Sequence, residues 1–462
     1  MRLASISTLL FVLLSAAFAG TKTPNSWTVM VYMTAKNDTT LDCAALVDFA
    51  ALANVGSVKG MQVFVELGRP VKPECGKAWA GTQRFHIGPG MAPTRGKPVL
   101  SPEAIMSRGA SVRAFVKWVL KQKKFETDHY MLVMWGHGLG LKSVPLAVAA
   151  EAVPSGGGGE LVPDPIHLLK LLPPRIPLGD FRSAGFDPDS GKYLYVRDVA
   201  NQLAVDKIGR KLDVILLDSC LMGTIENAYA FRKVTDFLLA SESIIFTGAW
   251  DYTALLRKAT NPSAPAPLIS QIHDTFAGSR KAFDRVSTAS ALKLSAVDSL
   301  ARQVGRLGEQ LTKQIMDTDP IKSAQFVQAM IHLRGKLTPF ASPFNTAEAS
   351  TVDLGVLAHR LATSSAVSPG AQNVAANIYE ALKSPDLVIE NYAPPAVQAF
   401  GTAIFFPQSQ LAFQAVADEK TSYDPDECAQ KKYSIAFVCD PETGGWARFL
   451  KALLFEAKAS KQ

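Results

Sequence analysis

Apolar residues in the first half of the chain come in unbroken blocks of strand length. WTVMVYMTA (27–35), MQVFVELG (61–68), HYMLVMWG (129–136) and KLDVILLDSC (211–220) are such blocks. Continuous rather than alternating hydrophobicity predicts strands covered on both faces, as in a parallel sheet. Between the second and third blocks, SPEAIMSRGASVRAFVKWVLKQ predicts a helix, with Ser101 at the cap, Pro102 in the first turn and Glu103 at the positive end of the dipole. After about residue 262 the pattern shifts to amphipathic helices. The clearest runs from Ser290 to Ile315. Two late strand-like runs follow, LVIENYA from Leu387 and FGTAIFFP from Phe400, and no internal repeat is detected. The pattern as a whole predicts an α/β fold: a mostly parallel sheet flanked by helices, with a helix-rich C-terminal region.

The N-terminus stands apart. Arg2 precedes an apolar run from Leu9 to Phe18 and a small-x-small site at Ala17-Phe18-Ala19. This predicts a cleaved signal peptide over 1–19, and hence a secreted or periplasmic protein. No later stretch reaches the roughly 18 unbroken apolar residues of a membrane span. At 462 residues the chain exceeds the usual size of one domain, so a domain over 25–262 and a second region over 263–462 are expected. Residues 141–185, with PSGGGGE from Pro154 to Glu160, interrupt the strand–helix rhythm and read as an inserted loop. The net charge of +7 comes from scattered basic residues, which gives a nucleic-acid partner little support.

Secretion changes what the five cysteines imply, because pairing is the default in an oxidising compartment and one thiol is left over. Cys428 and Cys439 bracket a loop short enough to close, and Cys43 with Cys75 could form a second bridge. Spacing alone does not fix connectivity. Under that pairing the leftover thiol is Cys220.

Open α/β sheets bind ligands beyond the carboxyl ends of their strands. Two of the predicted strands end in reactive side chains: HYMLVMWGHGLG delivers His137 between two glycines, and KLDVILLDSC delivers Cys220. Taken singly, a histidine between glycines is more often a turn residue, and a buried cysteine is usually a small hydrophobe. Jointly, on neighbouring parallel strands, they would make a cysteine-nucleophile site. The other histidines carry no metal-binding spacing.

WGHGLG (135–140) and DSCLMGTIENAY (218–229) resemble the clostripain-like cysteine peptidases of the caspase-like superfamily. NSWTVMVYMTAKND, LLASESIIFTGAWDY, SALKLSAVD, STVDLGVLAH and FGTAIFFP extend the likeness over most of the chain. Asp-Ser-Cys stands here where relatives often have Asp-Ala-Cys, and the 141–185 insertion is particular to this sequence.

The resemblance implies a caspase-like catalytic domain over 25–262. In it Cys220 attacks a peptide carbonyl, His137 handles the proton given to the leaving amine, and the backbone N–H groups of Gly138 and Cys220 form the oxyanion hole. It implies cleavage after arginine, and in some members lysine, of protein or peptide substrates. The chemistry requires no cofactor; relatives can depend on calcium, although no loop here has an EF-hand pattern. Self-processing within 141–185 is a further expectation.

Asp218 and Cys220, two apart on a predicted strand, would share a face. A carboxylate that close raises a thiol's pKa, a cost that becomes useful when a substrate cation sits between them. Asp218 is therefore the expected pocket anion, unless it merely caps the next helix. Asp251 in GAWDY is a second candidate for the pocket wall. The alternatives are a catalytically inactive secreted binding protein on the same fold and a related cysteine hydrolase or transpeptidase.

Overall fold

The four apolar blocks form the centre of an eight-stranded sheet. In a computed structural model, residues 24–36, 39–73, 75, 79–93, 105–138, 194–246, 248–261, 263–280, 286–340, 350–417 and 420–456 are described. Residues 1–19, Ser101 to Glu103 and the 141–185 insertion lie outside them. The main sheet runs β10-β7-β6-β5-β4-β1-β2-β3. Its members are β1 (Trp27–Thr34), β2 (Met61–Arg69), β3 (Gly81–His86), β4 (His129–Trp135), β5 (Leu212–Asp218), β6 (Thr235–Ala240), β7 (Ala289–Lys293) and β10 (Val388–Tyr392). The five strands from β2 through β1, β4 and β5 to β6 are mutually parallel. β3, β7 and β10 add antiparallel edges. A small second sheet joins β8 (Pro339–Phe340), β9 (Thr351–Asp353) and β11 (Ala403–Phe405).

Unbroken hydrophobicity is explained by burial on both faces. Alternate residues of β1 feed different cores: Met30 and Tyr32 enter one, Val29, Val31 and Met33 the other. The first core is completed by helices that include Gly109–Leu120, Ile225–Phe231 and Val297–Ile315. Helices Thr39–Ala53, Tyr252–Ala259 and Pro265–Arg280 close the second.

Three sequence expectations are corrected. The helix expected from Ser101 begins at Gly109, because the carboxylate of Asp198 accepts the Gly109 N–H at 2.8 Å and caps it from another helix. The amphipathic run from Ser290 starts as strand β7, and its helix begins at Val297. Strand β5 stops at Asp218, so Cys220 lies in the turn that follows. β7 and β10 both lie past residue 262, so the main sheet draws on the C-terminal region as well.

Both disulfides occur as paired in the sequence reading, Cys43 with Cys75 and Cys428 with Cys439. Cys220 takes part in neither disulfide.

Candidate active site

The chain builds β2 on one side of β1 and returns to place β4 on the other, so β1 and β4 flank a topological switch point. This is where such sheets leave a crevice at their carboxyl ends. β4 and β5 finish level, with Trp135 opposite Asp218. The Gly136 N–H donates to the Asp218 carbonyl at 3.2 Å, carrying the pairing one residue beyond β4. Thr34, ending β1, donates its hydroxyl to the Trp135 carbonyl at 3.0 Å.

Two glycines make the crossing feasible. Gly136 has φ +153°, and a Cβ there would sit 2.3 Å from Thr34 Oγ1. A Cβ on Gly138 would lie 2.1 Å from the Cys220 carbonyl oxygen and 2.7 Å from its nitrogen. Only glycine permits this approach. His137 is therefore held between one residue bonded to Asp218 and another packed on Cys220, and it is buried.

The cysteine turn is pinned from several sides. The Ile245 N–H donates to the Cys220 sulfur at 3.3 Å, and the thiol lies 3.3 Å from the Ile245 carbonyl. Leu221 adopts φ +62°, a left-handed conformation costing a side-chain-bearing residue about 1–2 kcal/mol. Its N–H bonds the Ser243 carbonyl at 2.9 Å, and its side chain packs with Phe340 and Ala403. Gly223 N–H then bonds the Ser241 carbonyl at 2.7 Å. Thr224 caps the helix Ile225–Phe231. Glu226, fully buried, accepts from Phe405 N–H at 3.0 Å and Tyr423 hydroxyl at 2.8 Å, tying β11 to that helix. Burial pushes its carboxyl above the usual range.

The helix that follows Asp218 is capped by Thr224. The Tyr252 hydroxyl donates to Asp218 Oδ2 at 2.5 Å. Burial, then the nearby Asp218 and Asp48 carboxylates, push the Tyr252 hydroxyl well up, so it stays protonated and remains the donor. Asp48 accepts from Trp135 Nε1 at 2.8 Å, and its own carboxyl is raised to about 6 by burial. Asp251 is exposed and caps the helix Tyr252–Ala259, accepting the Ala254 N–H at 2.9 Å. The cap reading considered for Asp218 thus falls to Asp251.

Tyr252, Asp48 and Ile245 were not singled out in the sequence, and Trp135 only as the first residue of WGHGLG. Tyr252 carried a usable signal, since it shares a helical stripe with Leu255 and Leu256, and a buried tyrosine needs a partner for its hydroxyl. A histidine–carboxylate pair, His129 Nδ1 with Asp213 at 2.7 Å, lies at the opposite end of β4, away from Cys220. Among the described residues, no group of three His, Cys, Asp or Glu gathers to hold a metal ion, and no helix is long and apolar enough to cross a membrane.

The sheet, with a histidine and a cysteine just past adjacent strand ends, has the caspase-like fold shared by solved C11 protease structures. Residues 180–433 match the Peptidase_C11 profile, described as the clostripain family, which spans Asp218, Cys220 and Asp251 and begins after His137. The chain belongs to the clostripain family and is a cysteine endopeptidase. Two solved structures share the fold. One is an inactive zymogen C11 protease from Parabacteroides distasonis, 16% identical with a TM-score of 0.52, covering 84% of this chain and 93% of that one. The other is a secreted C11 cysteine protease from Bacteroides thetaiotaomicron, 17% identical with a TM-score of 0.52, covering 83% and 94%. No curated protein matches the chain.

Proposed function

We propose that the protein is a secreted endopeptidase in which Cys220 and His137 form the catalytic dyad and Asp218 selects arginine, or lysine, at the cleavage site. The observation that carries this reading is the contact of Gly138 with the Cys220 backbone, which fixes the histidine loop against the cysteine turn. His137 takes the Cys220 thiol proton as the sulfur attacks the scissile carbonyl carbon, and the developing oxyanion accepts hydrogen bonds from the Gly138 and Cys220 N–H groups. The C–N bond then breaks, and His137 passes a proton to the departing amine. Water cleaves the thioester, releasing the acid and regenerating the thiol.

Asp218 ends the β-strand two residues before the nucleophile, and its orientation is set by Tyr252. A carboxylate so fixed suits the planar fork of a guanidinium better than a lysine ammonium. Asp251, solvent-facing and engaged as a cap, is the weaker pocket candidate. Secretion is supported by the N-terminal signal pattern and by the secreted relative of like fold. The zymogen relative supports self-processing, for which the insertion supplies Lys142, Lys170, Arg175 and Arg182. The chemistry is carried by side chains and backbone, and calcium is proposed only as an accessory ion.

Hydrolysis and amine transfer measured side by side on an arginine ester test the reading. Dominant hydrolysis that is lost in Cys220→Ala is expected. Dominant amine transfer would make the protein a transpeptidase, and no turnover at all would make it a binding protein.

A further inference from the structure

A cavity of about 630 Å³ is lined by Val397, Gln398 and Phe400, by the helix residues His359 and Arg360, and by Tyr379. Its size falls within the range of ligand sites. Tyr379 forms an aromatic wall, its ring 4.9 Å from His359 and 5.3 Å from Phe400. Among the described residues, no acidic side chain lines it. Lys383 Nζ stands 5.0 Å from the Tyr379 ring and is paired with Glu380 at 3.1 Å. Arg360 and Gln398 are exposed, and among the described residues neither side chain has a hydrogen-bond or ion-pair partner.

The cavity is joined to the cleavage site through one wall. Val397 lines it and also packs, together with Ala399 and Cys220, on the cluster of Leu221, Phe340 and Ala403. The same segment continues to Ala403, whose N–H bonds the Gly223 carbonyl at 2.8 Å. A peptide lying at Cys220 and running over Val397 therefore enters a cavity that offers a guanidinium, an imidazole, an amide and a phenol.

We propose that this cavity is an extended subsite that takes an acidic side chain, glutamate or aspartate, of the peptide substrate, with Arg360 as its charge partner. The proposal rests on the peptidase reading above and adds a second specificity element to it. Asp218 demands a cation at the scissile bond, and Arg360 favours an anion some residues away. The preferred substrate is thus a segment of mixed charge rather than a polybasic one.

The test uses the full-length enzyme and internally quenched peptides with one arginine at the cleavage position, in which each other position is scanned as Glu against Gln. At one position Glu should raise kcat/KM about tenfold over Gln, the effect of one charge-assisted hydrogen bond. In Arg360→Gln that ratio should fall to about one. A parallel arm measures Kd for fluorescein-labelled Glu and Gln peptides on the Cys220→Ala protein, with and without Arg360→Gln, so the cavity is read even where nothing is cleaved. Glu-dependent binding that needs Arg360, with no cleavage by the wild type, would overturn the peptidase reading and keep the subsite. Cleavage with a Glu/Gln ratio near one at every position, or a ratio that survives Arg360→Gln in folded protein, would overturn the subsite and leave the peptidase standing.

Discussion

Tyr252 gives its hydroxyl hydrogen bond to Asp218 Oδ2 at 2.5 Å, linking the helix after residue 251 to the end of β5, two residues before Cys220. Removing the hydroxyl in Tyr252→Phe leaves the ring in place and takes away this hydrogen bond to the carboxylate. Because a hydrogen bond to a charged group contributes about 1.5–3 kcal/mol, kcat/KM on an arginine substrate should fall about tenfold or more. A neutral substrate should be affected far less. Equal losses on both would mean that Tyr252 supports the fold rather than the pocket.

Asp218→Asn should lower kcat/KM for arginine substrates by about two to three powers of ten, the scale of breaking a buried ion pair. Turnover of a substrate with a neutral residue at that position should change little or rise, as the negative charge near the thiol is gone. If arginine and neutral substrates lose equally, Asp218 is not the specificity residue.

Gly138→Ala places a methyl 2.1 Å from the Cys220 carbonyl oxygen, so the histidine loop and cysteine turn must separate. Loss of one oxyanion donor alone costs about 10²–10³ in kcat, and a fall of at least that size is expected. The thermal midpoint should show the protein still folded. A kcat within twofold of wild type would contradict the proposed oxyanion geometry.

Asp48 supplies a pH prediction. Its folded carboxyl is raised from 3.8 to about 6 by burial, so the fold favours the protonated form. Its contribution to stability is complete below the unfolded pKa, near 4, and is lost as pH rises through about 6. Asp48→Asn keeps an acceptor for Trp135 without the charge. It should gain on wild type between pH 4 and pH 7 by up to about 3 kcal/mol. Thermal midpoints across that range check it, and a constant difference would refute the burial argument.

Self-processing is decided by comparing wild type with Cys220→Ala on a reducing gel. Fragments from cuts within 141–185 are expected only in the wild type; the same pair in both would show that another protease makes the cut.

The strand blocks were legible because a sheet buried on both faces needs uninterrupted apolar runs, whatever lies around it. His137 and Cys220 were legible because each directly follows such a run. What escaped was set by distant parts of the chain. Asp198 caps Gly109 from 89 residues away, which no local signal at Ser101 could reveal. β7 is five residues long and merges in pattern with the amphipathic helix behind it. The roles of Asp218 and Asp251 depend on Tyr252 reaching across a separation of 34 residues, and hence on the packing of the helix against the sheet. Cys220 left the strand because the turn is pinned to Ser243 and Ile245, whose positions follow from the next strand rather than from the turn's own sequence.

The most direct measurement is mass spectrometry of the unreduced protein inactivated with a thiol-directed peptidyl-arginine reagent. The expected result is one adduct, on the peptide bearing Cys220, formed in step with loss of activity, while Cys43–Cys75 and Cys428–Cys439 remain paired. An adduct on any other residue, or inactivation that leaves Cys220 unmodified, would contradict the assignment of Cys220 as the nucleophile.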